Sequence, residues 1–496
     1  MLVISVLALA LLLQTPGVQN WAVDKVTGYL NKNSQFTTNI GRIDLNWWDA
    51  LEITGLEVKD HRDSIMLSAD RSFIDFQLKS LLPPNNPSLD EVRLERATVQ
   101  FFTHEGDSSM NINLWLRELN ELFGSGKSGG STKFGIGQID LRNSRFSLVN
   151  YNLPVIEKGL DYNHMRFADI AISASKFYVD GDEIGVNIGL LTGVEQGSGL
   201  TIKELQTQLT YSSEFLEFDK LNLITNQSHI KDFLRFEYAS PSSFSDFINK
   251  VVVITRMKET VLSLEDLRFF APTLPDIEDA IILTGEVQGP VSDIRSEEFL
   301  LRLGKKTEIF GSFQLDGLPN FEETYINLSL QNSTIEANDL GPYLSAEIEK
   351  EIRKFKTIRL SADFAGLPSR FTTDGLFRTG IGELNGRVNY DQKDGVNSIV
   401  SKVSIKNLDL GVLAENPELL QKISLEGNVN LKGKSKEDIL IGLDAVISKL
   451  GINGYTYSNI RTDANYGLDL FEGNLSISDP NLKLKASGTI NLRDTS

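Results

Sequence analysis

Residues 423–432 read ISLEGNVNLK, and apolar and polar side chains alternate along them. Ile423, Leu425, Val429 and Leu431 share one parity, Gly427 takes the remaining place, and the residues between them are polar. Because successive side chains of a β-strand point to opposite faces, this spacing gives the strand one apolar and one polar face. Such one-sided strands are typical of antiparallel sheet.

The same period of two extends along most of the chain from about residue 35 onward. Asp-Gly pairs at residues 180–181, 316–317, 374–375 and 394–395 predict hairpin turns between the strands. We therefore expect an all-β, mainly antiparallel fold in which the apolar positions form one face. The candidate residues of that face are Ile326, Leu328, Leu330, Val403, Ile405, Ile423, Leu425, Val429, Leu431, Ile439, Ile441, Leu443, Leu482, Leu484, Ile490 and Leu492.

Helical periodicity is confined to a few short segments. Residues 111–123, 342–355 and 417–423 carry apolar side chains at helical rather than strand spacing. Another helix is expected to begin at Thr15-Pro16, because threonine is a favoured N-cap and proline a favoured first helical residue. We expect these helices to cap or plug the strands.

The N-terminal run, residues 1–13, reads MLVISVLALALLL. As a helix it would be about 20 Å long, shorter than the roughly 30 Å needed to cross a bilayer. It could be a buried core helix, or the C-terminal half of an uncleaved anchor whose charged start lies upstream, and we prefer the anchor. The anchor residues are then Leu2, Val3, Ile4, Val6, Leu7, Leu9, Leu11, Leu12 and Leu13.

A glycine- and serine-rich stretch, residues 124–132 (GSGKSGGST), predicts a flexible linker. We expect a partial transmembrane anchor over residues 1–14, an N-terminal unit over 15–123 and a long, repeated β-region over 133–496. The last strand pattern stops near Leu492 without a capping element, which would leave an open sheet edge. We therefore expect the native chain to continue.

The composition of the 496 residues excludes several kinds of site. Without cysteine there can be no thiolate catalysis, zinc–thiolate site, Fe–S cluster or disulfide. The formal net charge of −18 opposes binding to nucleic acid through a basic patch. Hydrophobic residues make up 41% of the chain, enough for a sizeable core.

No pattern typical of catalysis stands out in the sequence. Asp60, His61 and Asp63 cluster, but their spacing is ordinary hairpin-loop composition. Each histidine is expected at the surface or in a turn, and none has metal-ligand spacing. The four are His61, His104, His164 and His229. We therefore expect a protein that is not an enzyme and that has no catalytic residue, cofactor or metal site.

Several short motifs occur in a characteristic order along the chain. They are residues 14–19 (QTPGVQ), 40–45 (IGRIDL), 51–60 (LEITGLEVKD), 364–367 (FAGL), 373–375 (TDG), 380–382 (GIG), 455–459 (YTYSN), 471–473 (FEG) and 478–482 (SDPNL). Together with the N-terminal apolar run, they resemble the AsmA-like superfamily, and specifically its TamB (translocation and assembly module) family. The resemblance covers most of the chain, whereas family members are longer and end in a characteristic C-terminal domain.

The resemblance implies a fold, a location and a function. It implies an elongated, twisted sheet curled into a U-shaped groove, with a single-pass inner-membrane anchor and the bulk of the protein in the periplasm of a Gram-negative bacterium. It implies phospholipid transport between the inner and outer membranes, with acyl chains as the guests of the groove. The alternative that it implies is outer-membrane protein assembly with a β-barrel partner, reached through the missing C-terminal region.

The residue pattern by itself leaves the arrangement of the apolar faces open. A lipid tail needs a dry path, because each exposed methylene costs about 0.8 kcal/mol, and strands about 4.8 Å apart would supply one. The same faces could instead close on each other as the core of a β-sandwich. Periodicity alone favours the sandwich, and the resemblance favours the groove. A structural β-repeat or adhesin-like protein is the third alternative.

Overall fold

The computed structural model describes residues 15–46, 50–77, 88–123, 133–270, 272, 276–434, 438–467 and 470–491. Strands hold 65% of the residues and helices 14%, and the 25 strands follow one another in predominantly antiparallel β-sheet. The predicted all-β, mainly antiparallel class is thereby confirmed. The chain divides into two compact units, Met1–Ser242 with Thr260–Glu278, and Ser243–Glu259 with Asp279–Ser496.

Apart from the first, which has 18 residues, the described helices are short. The described α-helices are α1 (Pro16–Asn33), α2 (Asn111–Phe123), α3 (Phe247–Lys250), α4 (Leu264–Leu267), α5 (Ala337–Leu340), α6 (Ala346–Arg353) and α7 (Leu410–Leu413). Three 3₁₀ turns accompany them at Pro241–Asp246, Phe321–Glu323 and Gly341–Tyr343.

The strands of the first unit begin with two hairpins and end in a long meander. They are β1 (Thr37–Asn46), β2 (Ala50–Lys59), β3 (Ile65–Asp75), β4 (Ser88–Glu95), β5 (Thr98–Thr103), β6 (Lys133–Asn150), β7 (His164–Asp180), β8 (Glu183–Glu195), β9 (Thr201–Tyr211), β10 (Phe215–Ile224) and β11 (His229–Glu237). Strand β6 runs parallel to β4 and β5, and the other pairs within this unit are antiparallel. Helix α2 lies in the β5–β6 connection, as a parallel crossover requires.

The second unit is a continuous antiparallel meander. After β12 (Val252–Ser263), which is divided between the units, each strand from β13 to β25 pairs with the next. These strands are β13 (Ala280–Pro290), β14 (Asp293–Leu303), β15 (Thr307–Asp316), β16 (Tyr325–Glu336), β17 (Thr357–Leu367), β18 (Arg370–Thr379), β19 (Gly382–Lys393), β20 (Val396–Asp409), β21 (Leu420–Gly433), β22 (Leu440–Ile452), β23 (Tyr455–Tyr466), β24 (Leu470–Ser478) and β25 (Lys483–Asn491).

The predicted turns are found in part. Asp394 and Gly395 both have positive φ, 52° and 74°, and join β19 to β20 in the tight hairpin expected of an Asp-Gly pair. The predicted turn at residues 374–375 is wrong, because both residues lie inside β18. A Cβ atom at Gly375 would overlap with the backbone carbonyl of Ser361, so this glycine permits close strand approach rather than a turn.

The predicted helices also need correction. Helix α2 has the expected bounds, and α1 begins at Pro16 as expected. The helix predicted over residues 342–355 shrinks to α6, because Leu344 is extended and the Ser345 side chain caps the N–H of Ile348. The helix predicted over 417–423 is wrong, since β21 begins at Leu420.

A small core holds the beginning of the first unit together. Phe36, Val58 and Met66 are buried, and Leu114 and Trp115 of α2 pack against them. The amphipathic helix thus covers the apolar side of the first hairpins, which is the plugging role expected of it.

The predicted localisation must be corrected. The anchor residues 2–13 and the linker at residues 124–132 lie outside the described residues. In the part of the chain that the structure describes, no helix, including the 18-residue α1, has the length and apolar character needed to cross a membrane. This finding overturns the single-pass, inner-membrane localisation.

Candidate functional site

The apolar side chains of the second unit fall into register across nine strands. Starting at β17, each residue of one line lies directly opposite the next on the neighbouring strand. We call this line the aliphatic row: Leu360, Phe377, Leu384, Ile405, Leu425, Ile447, Ile460, Ile477 and Leu484. With neighbouring strands about 4.8 Å apart, the eight steps of the row cover roughly 38 Å.

A second line runs beside it on the same face, six residues away along each strand. We call it the aromatic row, because four of its eight members are aromatic. Its members are Phe371, Tyr390, Ile399, Leu431, Ile441, Tyr466, Phe471 and Ile490. Its aromatic rings touch, with ring centres 5.1 Å apart for Phe371 and Tyr390 and 5.4 Å apart for Tyr466 and Phe471. Aromatic pairs across strands stabilise the sheet and fix its register.

Smaller residues, many of them glycine, alanine, serine or threonine, lie between the two rows. Val403 on β20 is paired with Gly386 on one neighbouring strand and with Gly427 on the other. The two glycines have φ of 142° and 155°. A Cβ atom on Gly427 would overlap with the carbonyl oxygen of Asp444 on the next strand. These positions therefore need glycine, and glycine kinks are a way to bend strands.

A cavity of about 1130 Å³ lies along this face. Its lining extends from β17 to β24 and is aliphatic or aromatic apart from a few polar residues, among them Thr373, Ser401 and Glu383. Eight of the sixteen residues predicted from the sequence line it: Val403, Ile405, Ile423, Leu425, Val429, Leu431, Ile441 and Leu443. The volume exceeds the 300–1,000 Å³ usual for a small-molecule pocket.

Burial varies along the lining. Ile460 is 2% exposed and Val403 is 4% exposed, whereas Leu384, Val388 and Leu443 are half-buried. Ile460 and Val403 belong to a cluster of buried residues, and the three half-buried residues pack against that cluster while keeping accessible surface. The face is thus neither a fully closed core nor a fully exposed sheet.

The opposite face of the same strands is polar. Along β21, Glu426 and Asn428 point to that face, and Asp444 lies opposite Asn428 on β22. Val446 is an apolar exception that is 48% exposed. The second unit therefore has one apolar and one solvated face, as the alternation predicts.

Two helices close one side of the cavity. Ile352 of α6 and Leu410 and Leu413 of α7 contribute apolar side chains to its lining. The ammonium group of Lys354 ties the helices together, since it lies 2.9 Å from a carboxylate oxygen of Glu415. Hydrogen bonds and charge attraction from Lys354 and Lys350 lower the pKa of Glu415 to about 2.

The other predicted residues lie elsewhere. Ile326, Leu328 and Leu330 are on β16, on the same face in register with β17, but do not line the cavity. Ile439 lines a smaller neighbouring pocket of about 240 Å³. The last four are at the C-terminal strand: Leu482 is half-buried, Leu484 and Ile490 are 40% and 45% exposed on β25, and Leu492 lies outside the described residues.

Several lining residues were missed from the sequence. Leu384 and Val388 alternate with polar residues around Gly386, so their period of two could have been found. The cavity residues Ile352 and Leu413 do not follow this period of two, because they lie on short helices that bring them to the sheet.

The first unit holds a buried polar cluster around Asp60, whose side chain is inaccessible to solvent. It accepts hydrogen bonds from His104 Nε2 at 2.7 Å, Asn111 Nδ2 at 2.9 Å and the backbone N–H groups of Arg62 and Ser64. Burial raises the pKa of Asp60, but these hydrogen bonds outweigh it, so the pKa lies below its ordinary value. All donors converge on one carboxylate, which indicates a structural hub.

The histidines were expected at the surface or in turns, and this was wrong for two of them. His164 is 7% exposed and pairs with Asp161 at 2.9 Å, and His104 binds the buried Asp60. Among the described residues, no group of three or more histidine, aspartate or glutamate side chains is placed to hold a metal ion.

Comparisons with protein-family models, with curated proteins and with solved structures found no match for this chain. The resemblance to the AsmA-like superfamily accordingly stays a prediction.

Proposed function

We propose that the apolar face of the second unit shelters the acyl chains of phospholipids, which lie along the aliphatic and aromatic rows. The observation that carries the proposal is the cavity of about 1130 Å³ with an almost wholly apolar lining. An apolar lining offers water few hydrogen-bond partners and therefore favours apolar guests.

The register of the rows supports the same proposal. Each aliphatic-row residue lies opposite the next, for example Ile405 opposite Leu425 and Leu425 opposite Ile447. A guest chain that moves across the strands therefore exchanges one apolar contact for another. Since an exposed methylene costs about 0.8 kcal/mol, a continuous path lowers the barrier to such movement.

We infer that the protein is a carrier rather than an enzyme, because sheltering a tail needs surface and no reacting group. Transfer of phospholipid between membranes, as the AsmA-like resemblance implies, is part of this proposal. A U-shaped curl of the sheet would place the head group at the open side, and glycines such as Gly386 and Gly427 would permit that bend.

The experiment is site-specific photo-crosslinking on the purified protein mixed with phosphatidylcholine vesicles. A photoreactive amino acid replaces Leu443 on the cavity lining, and the matched control replaces Val446, which is on the same strand but on the polar face. We expect a phospholipid adduct at position 443 and none at position 446. Adducts only to protein at position 443, or equal lipid labelling at both, would overturn the proposal.

A second candidate function is pairing with a client β-strand. The apolar side chains of Leu484 and Ile490 on β25 are exposed. An extended client segment can add to a β-sheet through main-chain hydrogen bonds while its side chains contact apolar residues of this kind. Crosslinks from Leu484 to a client polypeptide rather than to lipid would favour this assembly role.

A further inference from the structure

The connection between β6 and β7 presents an unusual set of exposed apolar side chains. Residues 151–163 read YNLPVIEKGLDYN, and residues 151–158 are all exposed. Leu153, Val155 and Ile156 form the tip, with 43%, 68% and 50% of their surface exposed. Soluble proteins seldom cluster exposed aliphatic side chains in this way unless the patch binds something.

The base of this loop is firmly held. The N–H of Leu160 donates to the carbonyl of Phe269 at 2.7 Å, and Leu160 itself is buried. The N–H of Ile156 donates to Asp161 Oδ2 at 3.0 Å, and Asn152 Nδ2 donates to the carbonyl of Asp107 at 2.9 Å. The exposed apolar residues therefore belong to an ordered loop whose base is held by hydrogen bonds.

The distribution of residue types in the loop fits a bilayer surface. The aliphatic tip stands between Tyr151 and Tyr162, which are 48% and 57% exposed. Tyrosine favours the membrane–water interface, where its ring meets the acyl region and its hydroxyl meets water. A protruding aliphatic tip with tyrosines at its base matches that gradient of polarity.

The charges of the loop indicate which kind of bilayer. Glu157 and Lys158 are adjacent, and their opposite charges cancel. The Asp161 carboxylate is paired with His164 at 2.9 Å. There is no basic cluster in the loop to attract anionic lipid, and the whole chain is acidic. Attraction to the membrane would therefore depend on apolar insertion and not on charge.

We propose that residues 151–162 form a peripheral membrane-docking loop, which inserts Leu153, Val155 and Ile156 into the surface of a zwitterionic bilayer without spanning it. The inference rests on the exposed loop alone and does not depend on the proposed lipid-sheltering face.

The chain has no cysteine, so a single introduced cysteine can be labelled uniquely. Val155→Cys carries the environment-sensitive dye NBD at the tip, and Leu190→Cys, an exposed site on β8 of the same unit, is the matched control. With phosphatidylcholine vesicles, we expect a several-fold rise in NBD emission at position 155, quenching by nitroxide-labelled lipid, and no change at position 190. The rise should persist at high salt.

Three results would overturn the proposal: no rise at position 155, an equal rise at both positions, or a rise only with anionic lipid. A second variant, Val155→Asp/Ile156→Asp, should lose vesicle binding in flotation while its circular dichroism stays unchanged. If this variant instead dissociates an oligomer in sedimentation velocity and floats like the parent protein, the loop is a contact between protein chains and the membrane proposal fails.

Discussion

Ile405 of β20 lies directly opposite Leu425 of β21, and the pair forms the centre of the aliphatic row. Both are buried, at 8% and 7% exposure, and both line the cavity. The same residues therefore stabilise the sheet and contribute apolar surface to the wall of the cavity. This double role yields separable predictions for stability and for binding.

Truncation of lining residues should cost unequal amounts of stability. Ile460→Ala removes a side chain that is 2% exposed, and we expect a loss of about 2–5 kcal/mol in the free energy of unfolding. Leu443→Ala removes a half-buried side chain, and we expect a loss of about 1 kcal/mol. Urea denaturation of the lipid-free protein measures both. Equal large losses would mean that the face is packed shut.

Glycine is required where the strands approach closely. Gly427→Ala places a Cβ atom against the carbonyl oxygen of Asp444 at a φ of 155°, and we expect a loss of about 1–3 kcal/mol. Gly442→Ala is the control, since its Cβ would meet side chains rather than backbone, namely Asn465 Oδ1 at 3.1 Å and Asn430 Cβ at 3.6 Å. We expect that variant to stay within about 0.5 kcal/mol of the parent. Thermal unfolding that ranks the two variants in the opposite order would contradict the requirement for glycine at position 427.

Asp60 should make the first unit sensitive to acid. Its pKa is lower in the folded protein than its ordinary value, so its stabilising contribution is complete above about pH 4 and is lost as the pH falls through the lowered value. Asp60→Asn should cost about 2–4 kcal/mol at pH 7, because the ionised acceptor of four hydrogen bonds is lost.

The variant should also show a smaller loss of stability between pH 5 and pH 2 than the parent protein. Asp63→Asn in the same turn is the control, since the Asp63 side chain is 82% exposed. Urea denaturation across that pH range distinguishes them. If the parent and Asp60→Asn proteins had the same pH dependence of stability, the stabilising role of ionised Asp60 would be contradicted.

The ion pair between Lys354 and Glu415 should hold α6 against α7. With a pKa of about 2, Glu415 stays charged at neutral pH. Glu415→Gln should therefore speed amide exchange in α6, and high salt should reduce the difference from the parent protein because it screens the pair. Glu418→Gln, in the same connection, should leave exchange unchanged. Hydrogen-exchange mass spectrometry that shows no change for Glu415→Gln would contradict the prediction.

The β-sheet could be predicted because it depends on a local signal. The alternation around Gly427 and the Asp394–Gly395 hairpin each lie within a few residues of sequence, and one-sided strands have few other ways to fold. The turn predicted at residues 374–375 failed because the same dipeptide also serves where neighbouring strands need a glycine.

The candidate site could be predicted only in part. The periodicity marks which side chains share a face, but the cavity also depends on Ile352 and Leu413, which short helices bring to the sheet. The hub at Asp60 joins His104, 44 residues away, and such a long-range partner leaves no spacing pattern in the sequence. The localisation prediction failed because no helix in the described part of the chain has the length and apolar character needed to cross a membrane.

The most direct measurement of the central claim is the amount of phospholipid that remains bound to the purified protein. After incubation with phosphatidylcholine vesicles and re-isolation, lipid per chain is quantified by mass spectrometry for the parent, for Leu443→Lys on the lining and for Val446→Lys on the polar face. We predict retained phospholipid in the parent and in Val446→Lys, and loss of most of it in Leu443→Lys with unchanged circular dichroism. A parent protein that retains no lipid, or a Leu443→Lys protein that retains as much as the parent, would contradict the account.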